Sequence, residues 1–207
     1  MHKFSVFNFF SKQKVIASCS LVGCSLLLTA CAGTSGLSWS ALSPSNWFSN
    51  SLKISGQGLG EINDQTNMVP SAIEKALEGK YHLRSGMETK NGKLISIVQG
   101  MDEDQVKLEF YGLPNGKVNR IDVLDEGIKT VWGTEIGTSF SALYDKAFGT
   151  CQRSRDFSVK SAVICTAPQS PHVSYVLTGI WNGPEELLPS DDVIKDWKIS
   201  RIIWQSE

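Results

Sequence analysis

Histidine, long apolar runs and charge of one sign are all in short supply here, and each shortage closes off a class of activity. Only three histidines occur in 207 residues. His2 sits in the N-terminal segment, while His82 and His172 fall in stretches expected to be strands, where a lone histidine is ordinarily a surface or packing residue. The sequence contains no HExxH, no GxSxG elbow, no phosphate-binding loop and no GxGxxG between a strand and a helix. Gly56, Gly58 and Gly60 form GQGLG, but no helix starts at once and no phosphate-contacting lysine follows, so these glycines are read as a turn or bulge. The acidic groups, Asp102 to Asp104, Asp125 with Glu126, Glu185 with Glu186 and Asp191 with Asp192, lack the alternating ligands of a calcium loop and read as solvated loop charge. No catalytic residue, metal or cofactor is expected. Twenty basic residues face twenty-one acidic ones without a Lys/Arg cluster, which makes nucleic acid a poor candidate partner. Beyond residue 30 no run is apolar enough to span a bilayer.

What is present begins at the N-terminus. Lys3, Lys12 and Lys14 precede an uncharged apolar run over residues 15–28, too short to span a membrane comfortably and typical of a signal peptide. It ends in Leu28, Thr29, Ala30 and Cys31, which resembles the lipobox of bacterial lipoproteins. That resemblance implies diacylglycerol on the Cys31 thiol, cleavage after Ala30 and acylation, as by palmitate, of the new amine. Two or three chains hold a protein at a membrane where one does so only marginally. Ala32, rather than Asp, follows the cysteine, which by the sorting rule of Gram-negative lipoproteins implies the outer membrane. The bland alternatives are an uncleaved helix or a plain secretory signal with a chance cysteine.

Cleavage at Cys31 would remove three lysines and no acid, leaving seventeen basic residues against twenty-one acidic. It would also remove Cys19 and Cys24, so that Cys151 and Cys165 are the only thiols left for a fold in an oxidising compartment. A disulfide is their simplest fate, and closing a loop of about 15 residues stabilises by roughly 3 kcal/mol in the chain-entropy model. A redox or metal pair would want a CxxC spacing or a neighbouring histidine. Residues 31–51 are rich in serine and read as a tether, with Trp39, Trp47 and Phe48 placed either in the lipid interface or against the folded part.

Residues 52–207 carry what looks like a duplication, in units of about 52–126 and 127–207. SAIEKALEG over 71–79 matches SALYDKAFG over 141–149, each resembling a short helix ended by glycine. Leu59-Gly60 matches Ile136-Gly137, VKLEFYG over 106–112 matches VSYVLTG over 173–179, and KVNRI over 117–121 matches KISRI over 198–202. Asn91-Gly92 and Asn115-Gly116 are hairpin signals, and Val106, Leu108 and Phe110 alternate with Lys107 and Glu109 as in a strand with one wet face. The expected fold is α+β: a tandem duplication of a strand-helix-three-strand unit in a mostly antiparallel sheet. Arg120 and Arg201 hold equivalent positions in the repeat, where they could present two cations to a partner or an anionic sugar lipid, or pair with acids on adjacent strands.

With the lipobox, the duplicated SAxxxxxxG segments and the approach Gly133-x-x-Ile136-Gly137-x-Ser139-Phe140 in view, the chain resembles the enterobacterial lipoproteins regulated by the envelope-stress sigma factor RpoE, a family of unknown function. A fainter similarity, through Ile136, Gly137 and Thr138, is to small outer-membrane assembly lipoproteins and β-lactamase-inhibitor-like modules, but the proline that often follows the terminal glycine is missing after Gly149. The resemblance implies an outer-membrane lipoprotein linked to envelope stress, and the folded part is expected to face the periplasm. The expected role is a non-enzymatic module that binds an envelope protein or cell-wall component. Carriage of a lipid between the two units is the alternative, with hydrolysis of an envelope polymer behind it.

Overall fold

Strands dominate the chain. The computed structural model describes residues 52–90, 92–154, 161–184 and 187–206, and all of them belong to one unit spanning Ser45–Glu207. The signal segment, the lipobox with Cys31 and the tether with its tryptophans lie outside the described residues, as do Asn91, Glu185 and Glu186.

In chain order the elements are β1 (Lys53–Ser55), β2 (Gly58–Leu59), α1 (Pro70–Ala76), β3 (His82–Lys90), β4 (Lys93–Asp102), β5 (Gln105–Gly112), β6 (Val118–Val123), β7 (Lys129–Thr130), a 3-10 turn at Phe140–Ala142, β8 (Cys151–Arg153), β9 (Ala162–Ala167), β10 (Ser170–Thr178), α2 (Asp191–Ile194) and β11 (Lys198–Gln205). β1 pairs antiparallel with β2 and parallel with β7, giving a three-stranded sheet. The other eight strands form one sheet in the order β3-β4-β5-β6-β11-β10-β9-β8, antiparallel throughout. Two four-stranded meanders, β3 to β6 and β8 to β11, are joined edge to edge where β6 pairs with β11.

Local chemistry explains the turns. Asn115 adopts a left-handed φ of 58° before Gly116, reversing the chain between β5 and β6. Gly58 has φ +136°, and a Cβ there would lie 2.1 Å from the Ile62 carbonyl oxygen, so only glycine fits the β1–β2 reversal. Pro70 opens α1, where a missing N–H costs nothing, and left-handed Glu78 and Gly79 end it.

One face of the large sheet is buried. Val98, Leu108, Phe110, Ile121, Val123, Tyr175, Ile202 and Trp204 project from it into one contiguous core. Ile54, Leu59 and Ile62 around the small sheet, Ile73 and Leu77 around α1, Phe140, and Ile194 of α2 cover that face. Two indole donors tie the core to its cover: Trp204 Nε1 donates to the Gly56 carbonyl at 2.9 Å and Trp132 Nε1 to Tyr175 Oη at 2.8 Å.

The expected α+β fold of strand-helix-three-strand units is therefore incorrect. The protein is mostly β, with eleven strands against α-helices of only seven and four residues among the described residues. Each half of the large sheet contributes four strands rather than three. Residues 141–149 do not form the second helix: the 3-10 turn ends at Ala142, Leu143 and Tyr144 make its last N–H bonds, both to the Phe140 carbonyl, and the Ala147 N–H is taken by the Asp191 carboxylate at 2.8 Å. The two stretches 52–126 and 127–207 share both sheets: β7 from the second completes the sheet begun by β1 in the first, and β6 pairs with β11 in the large one. The matched pairs VKLEFYG with VSYVLTG and KVNRI with KISRI do fall on corresponding strands of the two meanders, β5 with β10 and β6 with β11.

Candidate functional site

The outer face of the large sheet is where polar side chains gather. Register places Arg84 on β3, Gln99 on β4, Glu109 on β5 and Asp122 on β6 directly opposite one another in a single row. Period-two alternation dictates this: Leu108 and Phe110 face the core, so Glu109 and Tyr111 face out, and Arg120 and Asp122 do the same on β6. Direct cross-strand neighbours stand close enough for their side chains to bond.

The row is continuously hydrogen-bonded. Arg84 donates to Gln99 Oε1 from Nη2 at 2.7 Å and from Nε at 3.0 Å. Gln99 Nε2 donates to Glu109 Oε1 at 2.8 Å, and Tyr111 Oη donates to Glu109 Oε2 at 3.0 Å. Arg120 grips Asp122 with two prongs, Nε to Oδ1 at 2.6 Å and Nη2 to Oδ2 at 2.8 Å. From β11, Arg201 Nη1 reaches the same Oδ2 at 2.7 Å and Glu109 Oε2 at 3.3 Å. Asp122 is 0% exposed, while the two arginine side chains keep 22% and 21%. A buried carboxylate is tolerable only with such partners. The Arg120 guanidinium also stands 5.4 Å from the centre of the Tyr111 ring, a cation–π distance. Burial, reinforced by the Asp122 and Glu109 charges, pushes the Tyr111 phenol above its ordinary range, so it remains a donor.

Arg120 and Arg201, singled out as candidate partner-binding residues, are thus brought together on one carboxylate and open onto one groove. This groove has a volume of about 600 Å³. Its charged lining is Lys90, Lys93, Arg120 and Arg201 against Glu88, and its apolar lining is Ile95, Leu113 and the Tyr111 ring. Cations remain in excess even when Glu109 and Asp122 behind the arginines are counted. A second groove of about 570 Å³, beside Leu52 at the start of the described chain, sets Lys53 and Lys80 against Glu61 and Glu78 and carries no such excess.

The remaining sequence candidates lie elsewhere. Cys151 and Cys165 face each other across β8 and β9 in a disulfide with Cα atoms 4.0 Å apart. His82 begins β3, and His172 Nδ1 lies 3.2 Å from the Gln205 carbonyl oxygen at the far end of the sheet. Among the described residues no group of three or more His, Cys, Asp or Glu could hold a metal ion. Among them, too, no helix is long and apolar enough to cross a membrane. Sequence reasoning missed Arg84, Gln99, Glu109, Tyr111 and Asp122 as a unit, and the two groove lysines. The Arg-x-Asp spacing in β6 was the available signal, since it puts opposite charges on one strand face.

Comparison with known proteins adds three findings. A family model described as a protein of unknown function, DUF1131, matches residues 36–206. The uncharacterized protein YfeY of Escherichia coli K12 is 48% identical over 180 residues, covering 87% of this chain and 93% of its own. A crystal structure of the uncharacterized YfeY from Escherichia coli is similar with a TM-score of 0.68 at 46% identity, covering 74% of this chain and 99% of that one.

Proposed function

This chain belongs to the DUF1131 family, and for it we propose a lipid-anchored, non-enzymatic binding role at the periplasmic face of the outer membrane, exercised through the outer face of its large sheet. The observation that carries the binding part is the groove in which Lys90, Lys93, Arg120 and Arg201 surround an aromatic and aliphatic floor. Such a lining favours an anionic component of the envelope, one bearing carboxylate or phosphate groups beside an apolar portion. The anchoring part rests on the Leu28 to Cys31 lipobox and on Ala32. Resemblance to lipoproteins under envelope-stress control supplies the physiological setting. Packing at the junction of the two halves weighs against the carrier alternative: β6 and β11 are hydrogen-bonded there, and Val123, Ile202 and Tyr175 pack into the core beneath them.

Retention of the full-length protein on cell-wall sacculi, on anionic vesicles and on immobilised envelope protein distinguishes the possible sources of the anion. One of the three is expected to retain it, in a salt-sensitive manner, and Lys90→Glu with Lys93→Glu is expected to weaken retention at least tenfold. Absence of retention on all three, or retention indifferent to the charge reversal, removes the proposed role. Cys31→Ala should in turn release the protein from the membrane fraction.

A further inference from the structure

β3 is a long, unbulged edge. It closes one side of the eight-stranded sheet, and among the described residues it pairs with β4 alone. It is nine residues long, pairs with β4 without a bulge, contains no proline, and is exposed at seven positions including the unbroken stretch Arg84 to Thr89. Edge strands of soluble proteins are ordinarily shortened, bulged, covered, interrupted by proline or charged, and of these β3 has only the charges of Arg84, Glu88 and Lys90. The opposite edge obeys that rule: β8 has three residues and is tied to β9 by the disulfide.

We infer that β3 pairs antiparallel with β3 of a second copy of this chain, about a two-fold axis through Gly86. The charges select this register. Centred on Gly86, Arg84 stands opposite Glu88 of the second copy, and symmetry repeats the pair on the other side of the axis. Centred one residue later, Arg84 would oppose Lys90, and one residue earlier it would oppose glycine. Arg84 and Glu88 lie on the outer face, where Arg84 bonds Gln99 and Glu88 lines the groove. On the other face Met87, 67% exposed, would oppose Ser85 and lie diagonal to the second Met87, within reach of a long side chain. At the axis, the space beside Gly86 is open within 4 Å. The seam supplies roughly eight backbone hydrogen bonds but less than the roughly 1,200 Å² that stable complexes bury. The dimer is therefore a weak one, joining two sheets of eight strands into one continuous sheet. It does not depend on the anionic ligand proposed for the groove.

The test is sedimentation equilibrium of the full chain, extracted as cells make it, over a wide concentration range. A monomer–dimer equilibrium is expected. Arg84→Glu and Glu88→Arg, each creating two like-charge contacts, are expected to raise the dissociation constant at least tenfold, and the double variant Arg84→Glu/Glu88→Arg to restore it to within about threefold. Unchanged thermal melting of each variant separates a lost seam from a lost fold. Hydrogen exchange provides a second readout: protection of amides in residues 82–90 should rise with protein concentration. A chain monomeric at every concentration, a dimer indifferent to the swaps, single swaps that the double variant does not rescue, or protection of β3 that appears only on adding envelope extract would each overturn self-pairing.

Discussion

Removing the Asp122 carboxylate tests the polar row at its most buried point. Asp122 accepts three charge-assisted hydrogen bonds, two from Arg120 at 2.6 and 2.8 Å and one from Arg201 at 2.7 Å, and is itself shielded from water. Breaking a fully buried pair by deleting one partner costs about 3–5 kcal/mol, because the remaining charge is left uncompensated. Here the arginines retain about a fifth of their exposure, so water can recover part of that loss. We expect Asp122→Ala to cost about 3 kcal/mol. Asp122→Asn keeps the volume and one acceptor but discards the charge, and should cost about 2 kcal/mol. For a folded part of this size such losses lower the melting temperature by roughly 5–10 °C, readable by calorimetry or by denaturant titration. Adding Arg201→Met to Asp122→Ala should recover part of the loss, because one of the stranded cations is gone. A loss below about 0.5 kcal/mol for Asp122→Ala, or the absence of recovery in the double variant, would refute the reasoning that this carboxylate holds the two arginines in place.

Three further outcomes follow from the geometry. Burial raises the affinity of Asp125 for its proton, but the Tyr81 hydroxyl at 2.5 Å, the Gly127 N–H, and the Lys80 and Lys107 charges outweigh it and hold the carboxyl below its ordinary range. A depressed folded-state value means that its stabilisation is present above the usual carboxylate range and lost as pH falls through the folded value. Tyr81→Phe should therefore cost about 1–2 kcal/mol near neutrality and less in acid, as followed by denaturant melts across pH. Cys151→Ser with Cys165→Ser opens a loop with a sequence separation of 14 residues and should cost about 3 kcal/mol, seen as a matching shift between oxidised and reduced wild-type protein. Gly58→Ala, with its Cβ forced to 2.1 Å from the Ile62 carbonyl at φ +136°, should cost more than about 2 kcal/mol in the same melts, whereas Gly92→Ala, where nothing lies within 4 Å, should cost less.

How much was legible beforehand depended on the range of the interaction concerned. Alternation of Val106, Leu108 and Phe110 with polar neighbours identified β5 and its two faces, and Asn115-Gly116 identified the reversal into β6, because both are local signals. The fate of residues 141–149 was not legible. Their helix-like pattern gives way to long-range bonds, the Ser141 N–H to the Lys195 carbonyl and the Ala147 N–H to Asp191, forty-four residues away. The polar row was hidden for a similar reason. Lining up Arg84, Gln99, Glu109 and Asp122 takes three consecutive strand registers, two of them in pairs that carry irregularities, at Gly100/Met101 and Tyr111/Gly112. Asp122 sits at an outward position of its strand. It is buried because Arg120 beside it and Arg201 from the neighbouring strand close over it. The matched KVNRI and KISRI segments pointed to these two arginines without showing that they meet.

The most direct test of the proposed binding role is photo-crosslinking in living cells from a reactive side chain placed at Leu113 in the groove, with one at Val131, outside that groove, as control. Both positions are more than half exposed. A discrete adduct from position 113, absent from position 131 and lost when Lys90 and Lys93 are both reversed to glutamate, is the predicted result. Identical adducts from the two positions, or none from position 113 while the protein remains at the membrane, would contradict a binding role for this face.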